Sequence, residues 1–142
     1  RRVLFRSRIA GLGTDVVECR RIGHLIDRHG ESFVDRVFTP AEIRACRSHR
    51  AWVQRFAGGW AAKVSVLKAL GVARRRTLRW VEVEVLPRSN GEPTVRLEGE
   101  ARAEAFARKI CELRVSVSHG EAFAVAFALA LGRDDAGLVD PP

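Results

Sequence analysis

The sequence predicts an α+β fold, on three observations. Two runs alternate apolar and charged residues with a two-residue period on either side of a turn signal. A long alanine- and leucine-rich stretch has the length and spacing of a buried helix. Strand-like and helix-like segments do not alternate regularly, which argues against a parallel, doubly wound sheet. The chain's 142 residues suit one domain with a core of its own.

The elements follow in order. IAGLGTDVVE (9–18) reads as a strand punctuated by glycines, with Asp15 where it should end. CRRIGHLIDRHG (19–30) then places Ile22, Leu25 and Ile26 at helical spacing and stops at Gly30. Arg20, Arg21 and Arg28 lie largely off that apolar stripe. In FVDRVFTPAEIRACRSH (33–49), Thr39, Pro40 and Glu42 form a capping-box arrangement with proline at the first helical position. A longer helix is predicted from about Trp52 to Leu70, across Gly58 and Gly59, with Trp60, Val64, Leu67 and Gly71 along one face. WVEVEVLP (80–87) and TVRLEG (94–99), joined by SNGEP, read as a hairpin. EARAEAFARKI (100–110) reads as a helix with Ala, Phe and Ile on one side, and LRVSVSHGEAFAVAFALAL (113–131) as two strands broken near His119-Gly120. Residues 1–8 are expected to be a basic leader and 132–142 a disordered tail, leaving 9–131 as the domain.

Composition narrows the function. No apolar run approaches the roughly 20 residues of a membrane span, and the basic start lacks the apolar core of a secretory signal, so the cytoplasm is expected. Cys19, Cys46 and Cys111 are widely spaced, odd in number and form no CxxC pair, which argues for reduced thiols rather than a zinc site. Lys and Arg outnumber Asp and Glu by 25 to 17, a formal charge of +8. Such an excess suits an acidic protein, a phosphorylated metabolite, a membrane surface or nucleic acid. Nucleic acid is disfavoured, because the chain has no tyrosine, no aromatic stacking platform and no RNA-recognition signature. Neither GxxxxGK[ST] nor GxGxxG is present, and nothing local supplies a serine nucleophile with a base and an orienting acid.

Four segments carry chemistry-bearing residues: GLGTDVVE with Asp15 and Glu18, FTPAE, GGWAAKVSVLKALG with Lys63 and Lys68, and VSVSH with His119. Each residue has a structural role open to it beside a functional one. A strand-end aspartate caps helices, a helical lysine snorkels to solvent, and a histidine after a strand satisfies a backbone hydrogen bond. Lys63 lies about 140° around the helix from Lys68, so the two lysines face different surroundings.

Taken in order, GLGTDVVECRRI, RVFTPAEI, FAGGWAAKVSVLKALG, WVEVEV with NGEP, and VSVSHGEAFAVAFALA resemble holo-acyl-carrier-protein synthase, the short trimeric class of 4′-phosphopantetheinyl transferase, over about Ile9 to Leu131. The resemblance implies that fold, an antiparallel sheet packed with a long central helix, and a homotrimer with sites shared between neighbouring subunits. It implies transfer of the 4′-phosphopantetheine arm of coenzyme A to a serine of an acidic apo-acyl-carrier protein, with release of 3′,5′-ADP. Magnesium is the implied cofactor and fatty acid biosynthesis the implied setting, with the identity of the carrier left open. Carried over residue by residue, Asp15 matches the metal-binding aspartate, Lys68 the lysine that faces the phosphates, and His119 the histidine near the coenzyme. Those three are the implied catalytic set. Phe56, Lys68, Gly71, Asn90, Pro93 and His119 match positions around the coenzyme. Arg20, Arg21 and Arg28 would present the cationic face for the carrier protein. Arg44, Arg47 and Arg50 are further candidates, for the 3′-phosphate.

The pattern departs from the family at two positions. Gly59 stands where the family has arginine, and Val64 where it has the second metal-binding carboxylate, which valine cannot replace because magnesium wants oxygen ligands. Two readings stay open: an active transferase completed by Glu18, Glu42 or Glu82, or by water and the diphosphate, and a catalytically impaired trimeric binder of coenzyme A or carrier protein.

Overall fold

Small residues decide how closely the long helix approaches the sheet. The computed structural model describes the backbone of residues 2–139 and the side chains of residues 6–134. Its elements run β1 (Arg2–Glu18), α1 (Cys19–His29), α2 (Glu31–Val37), α3 (Pro40–Arg47), α4 (Trp52–Ala69), a 3₁₀ turn (Trp80–Glu82), β2 (Val83–Pro87), β3 (Pro93–Leu97), α5 (Gly99–Ala107), β4 (Ile110–His119) and β5 (Phe123–Val139). Strands β1, β5 and β4 form an antiparallel sheet in that order, and β2 pairs with β3 in a separate hairpin. This is the α+β architecture expected, with α4 packed on the sheet.

On the inner face of the sheet β5 presents Ala124, Ala126, Ala128 and Ala130, all buried. On β1 the matching positions are Gly11 and Gly13. A Cβ on Gly13 would stand 1.9 Å from the Ser65 carbonyl oxygen, and one on Gly11 1.9 Å from that of Ala69. The helix backbone therefore rests directly on β1, which any side chain there would prevent. At its other end α4 meets β4, where Gly58 abuts Val117. Helix α4 thus crosses the sheet from the β4 edge to the β1 edge.

The caps follow the sequence. Thr39 Oγ1 accepts the Glu42 amide and the Glu42 carboxylate accepts the Thr39 amide, closing the box that starts α3. Two buried clusters flank α4. One gathers Ile22, Val34, Phe38 and Phe56, and the other Val66, Leu70, Val83 and Ala101. No helix among the described residues is long and apolar enough to cross a membrane.

Four expectations are corrected. Trp80–Glu82 is a 3₁₀ turn rather than the start of the hairpin strand. Its cause is Glu82, buried, whose carboxylate accepts the Arg79 amide at 2.6 Å and the Glu100 amide at 2.5 Å, bending the chain back on itself. On α5, Phe106 is 86% exposed while Ala101 and Ala105 are buried, so the aromatic ring does not share the buried side. Helix α4 is buried nearly all round, whereas the stripe read from sequence ends on the exposed Gly71. The tail expected to be disordered is strand as far as Val139, its backbone antiparallel to the leader, and Arg2 pairs with Val139. Arg1 and residues 140–142 lie outside the described residues.

Candidate functional site

Lys68 is the one lysine of α4 that reaches solvent. Its ammonium donates to the Thr14 carbonyl oxygen at 2.9 Å and stands 3.7 Å from Asp15 Oδ1. Asp15 faces the helix: it lies opposite Ala126, which lies opposite Val117, and cross-strand partners share a face. Burial lifts the Asp15 carboxyl above its ordinary value against the pull of Lys68. Val64, one turn before Lys68 on the same helix face, is half-buried and brings no oxygen.

His119 ends β4 at the opposite edge of the sheet. It shares a cleft of about 400 Å³ with Cys46 and His49 of the α3 side, Arg55, Gly58, Gly59 and Ala62 of α4, and Val85, Gly91 and Pro93 of the hairpin. The floor is open because Gly58 and Gly59 carry no side chain, and a Cβ on Gly59 would press on the Phe38 ring at 3.2 Å. Imidazole and guanidinium groups along an apolar floor suit an anionic ligand with a flat or apolar part. The Cys46 thiol is pushed up to about 12, chiefly by burial, so it is inert as a nucleophile. A smaller hollow beside it is lined by Arg50, Gln54 and, again, His119.

The register fixes how these two places relate. Asp15 and His119 point to the same face, two residues and two strands apart, about 12 Å at ordinary sheet spacings. Helix α4 passes between them. One chain therefore holds the Asp15–Lys68 pair and the His119 cleft at opposite edges and does not bring them to one bond.

A third feature is a cleft of about 680 Å³ over α1, lined by Arg20, Arg21 and Arg28 together with His24, Leu25, His29, Val16 and Phe123. It combines cations with an apolar strip, the chemistry of a surface that meets an acidic protein helix.

The remaining expected residues divide. Pro93 lines the His119 cleft, while the Asn90 side chain turns back to accept the Glu92 amide at 3.0 Å. Phe56 is buried behind that cleft, edge-on to Phe38 with ring centroids 4.9 Å apart, and supports the wall rather than lining it. Gly71, at φ +73°, follows α4 near Arg108, away from the cleft. Arg47 is engaged by Glu31, Arg50 lines the smaller hollow, and Arg44 is exposed on α3. The sequence reading did not anticipate His49 and Arg55, nor His24 and His29. Their signal was present only as scattered His and Arg residues, on helices and just after α3, that packing brings together.

Among the described residues no three His, Cys, Asp or Glu side chains converge as a magnesium site would require. Glu42 is spent on a buried ion pair with Lys63 and Glu82 on two backbone amides, so neither can replace the oxygen missing at Val64. Asp15 alone, beside an ammonium, does not make a two-carboxylate magnesium site.

Residues 11–128 match the sequence profile of the 4′-phosphopantetheinyl transferase superfamily. The chain belongs to that superfamily. A holo-[acyl-carrier-protein] synthase of Koribacter versatilis is 42% identical over 118 residues, covering 83% of this chain and 94% of the relative. The superfamily fold is matched by the crystal structure of holo-[acyl-carrier-protein] synthase from Neisseria meningitidis, at a TM-score of 0.79 and 27% identity, covering 87% of this chain and 98% of that one. The Helicobacter pylori synthase, solved in complex with coenzyme A, matches at a TM-score of 0.74 and 27% identity, over 84% of this chain and 98% of that one.

Proposed function

We propose that this chain transfers the 4′-phosphopantetheine arm of coenzyme A to a serine of an acidic apo-acyl-carrier protein. The observation that carries the reading is the exposed Lys68 held against Asp15, in a chain whose relatives are named for this reaction. The serine oxygen attacks the phosphorus attached to pantetheine, the bond to 3′,5′-ADP breaks, and the serine proton leaves with a base. Lys68 offsets charge on the diphosphate, Asp15 holds Lys68 in place, and His119 with its cleft receives the nucleotide end of the coenzyme. Arg20, Arg21 and Arg28 dock the carrier. No step is assigned to magnesium, because this chain offers it Asp15 and no second carboxylate at Val64.

The working unit is a homotrimer. Leu12, Val16 and Phe127 are 56%, 61% and 46% exposed on the outer face of the sheet, beside Phe123 and Val125. Such an apolar face calls for a partner. A second copy would also bring one chain's β1 edge to another's β4 edge, joining Asp15–Lys68 to a His119 cleft. The free thiols Cys19, Cys46 and Cys111 fit the reducing cytoplasm.

Val64 favours a second reading, a binder of coenzyme A or carrier protein without turnover. The test combines protein, apo-carrier protein, coenzyme A and magnesium, and follows attachment of the arm by mass spectrometry. Product from the wild type supports the transferase. Product from Val64→Glu alone, at high protein, establishes the impaired binder. Direct titration with Mn²⁺ is expected to show Val64→Glu binding at least about tenfold tighter than wild type, since it adds an oxygen ligand. Equal affinities would place the metal elsewhere.

A further inference from the structure

Lys63 plays no part in the chemistry proposed above, yet it is 0% exposed, and burying a lysine is costly unless its charge is met. Its ammonium is met from three directions. Glu42 Oε1 lies 2.7 Å away, the carbonyl oxygens of Trp80 and Val83 accept from it, and it stands 5.8 Å over the Phe38 ring. Glu42 is itself a junction. Its carboxylate accepts the Thr39 amide at the start of α3 and, at 3.0 Å, the Val85 amide in β2. Burial pulls Lys63 below the ordinary lysine value, with Glu42 opposing.

These contacts coincide with the His119 cleft. Phe38 and Glu42 line it directly, Val85 belongs to its hairpin wall, and Ala62, next to Lys63, belongs to its α4 wall. One ammonium therefore ties α4, the start of α3 and the root of β2 to a common point.

We propose that the Lys63–Glu42 pair is the positioning element of the coenzyme cleft, setting the spacing of three of its walls without touching the reacting atoms. The inference rests on reading that cleft as the coenzyme site. Removing one partner leaves the other charge buried and alone, and the walls part to let water reach it. Replacing both with neutral groups of similar size leaves the spacing nearly intact.

Calorimetry with coenzyme A and steady-state kinetics on wild type, Glu42→Gln, Lys63→Met and the double variant test this. Each single variant is expected to weaken coenzyme A binding tenfold or more, with the KM for carrier protein within twofold of wild type. The double variant is expected to return within threefold of wild-type affinity. Folded single variants that bind coenzyme A as wild type does overturn the proposal, as do coenzyme and carrier parameters that worsen in step. Should neither single variant fold, hydrogen exchange on the wild type decides. The Thr39 and Val85 amides, both held by Glu42, should gain tenfold protection when coenzyme A saturates the protein, while Ala105 on α5 does not change. No gain there refutes the positioning role. A wild type that fails to bind coenzyme A refutes the reading of the cleft itself, an outcome distinct from variants that bind equally well.

Discussion

Asp15 is held where a carboxylate is least at ease. Burial raises its folded-state pKa above 3.8, so the stability it contributes is fullest below about pH 4 and is lost as pH rises through the folded value. Asp15→Asn removes that cost. The variant is expected to match or exceed the wild type in thermal midpoint at pH 7, with the difference closing under acid, while transfer falls by about 10² or more. Scanning calorimetry at two pH values beside the mass-spectrometric assay checks both halves, and a variant that loses stability and activity together would make Asp15 merely structural. At this scale the sequence distinguished the two lysines of α4 only by angle. Which one is buried depends on Glu42, 21 positions earlier in the chain, and no local pattern encodes that partner.

Among elements, β1 and α4 are the pair that tolerates least. Gly13→Val would drive a side chain into the Ser65 carbonyl and is expected to cost about 2 kcal/mol or more by denaturant titration. Gly120→Ala, with nothing within 4 Å of the added carbon, should change stability by less than about 0.5 kcal/mol. Comparable losses at both sites would contradict the close helix–sheet approach. Helix starts and the hairpin were legible because Thr39, Pro40, Glu42 and the SNGEP turn are local signals. The 3₁₀ turn at Trp80–Glu82 was not, because WVEVEV alternates throughout and only the distant amide of Glu100 shows where Glu82 is needed. Phe106 misled differently: it lies about 100° around α5 from Ala105 and about 140° from Ala101, off the side that the rest of the fold buries.

For the molecule as a whole, the proposed trimer rests on the exposed outer face of the sheet. Leu12→Asp, on the outer face and outside the α1 cleft, is expected to shift sedimentation from the proposed trimer to monomer and to lower transfer about a hundredfold or more, since it also separates the two edges. Activity that survives in a proven monomer would overturn the shared site. Asp15, Lys68 and His119 could be named as candidates from their own segments, but their division between two edges could not. That division follows from strand register, and register depends on which distant strands pair.

The roughly 12 Å between Asp15 and His119 has a genetic consequence. Asp15→Asn and His119→Ala, each inactive alone, should complement one another when the two proteins are unfolded, mixed in equal amounts and refolded together. Random assembly gives about one site in four an intact aspartate from one subunit and an intact histidine from its neighbour. A site contained within one chain would recover nothing at all.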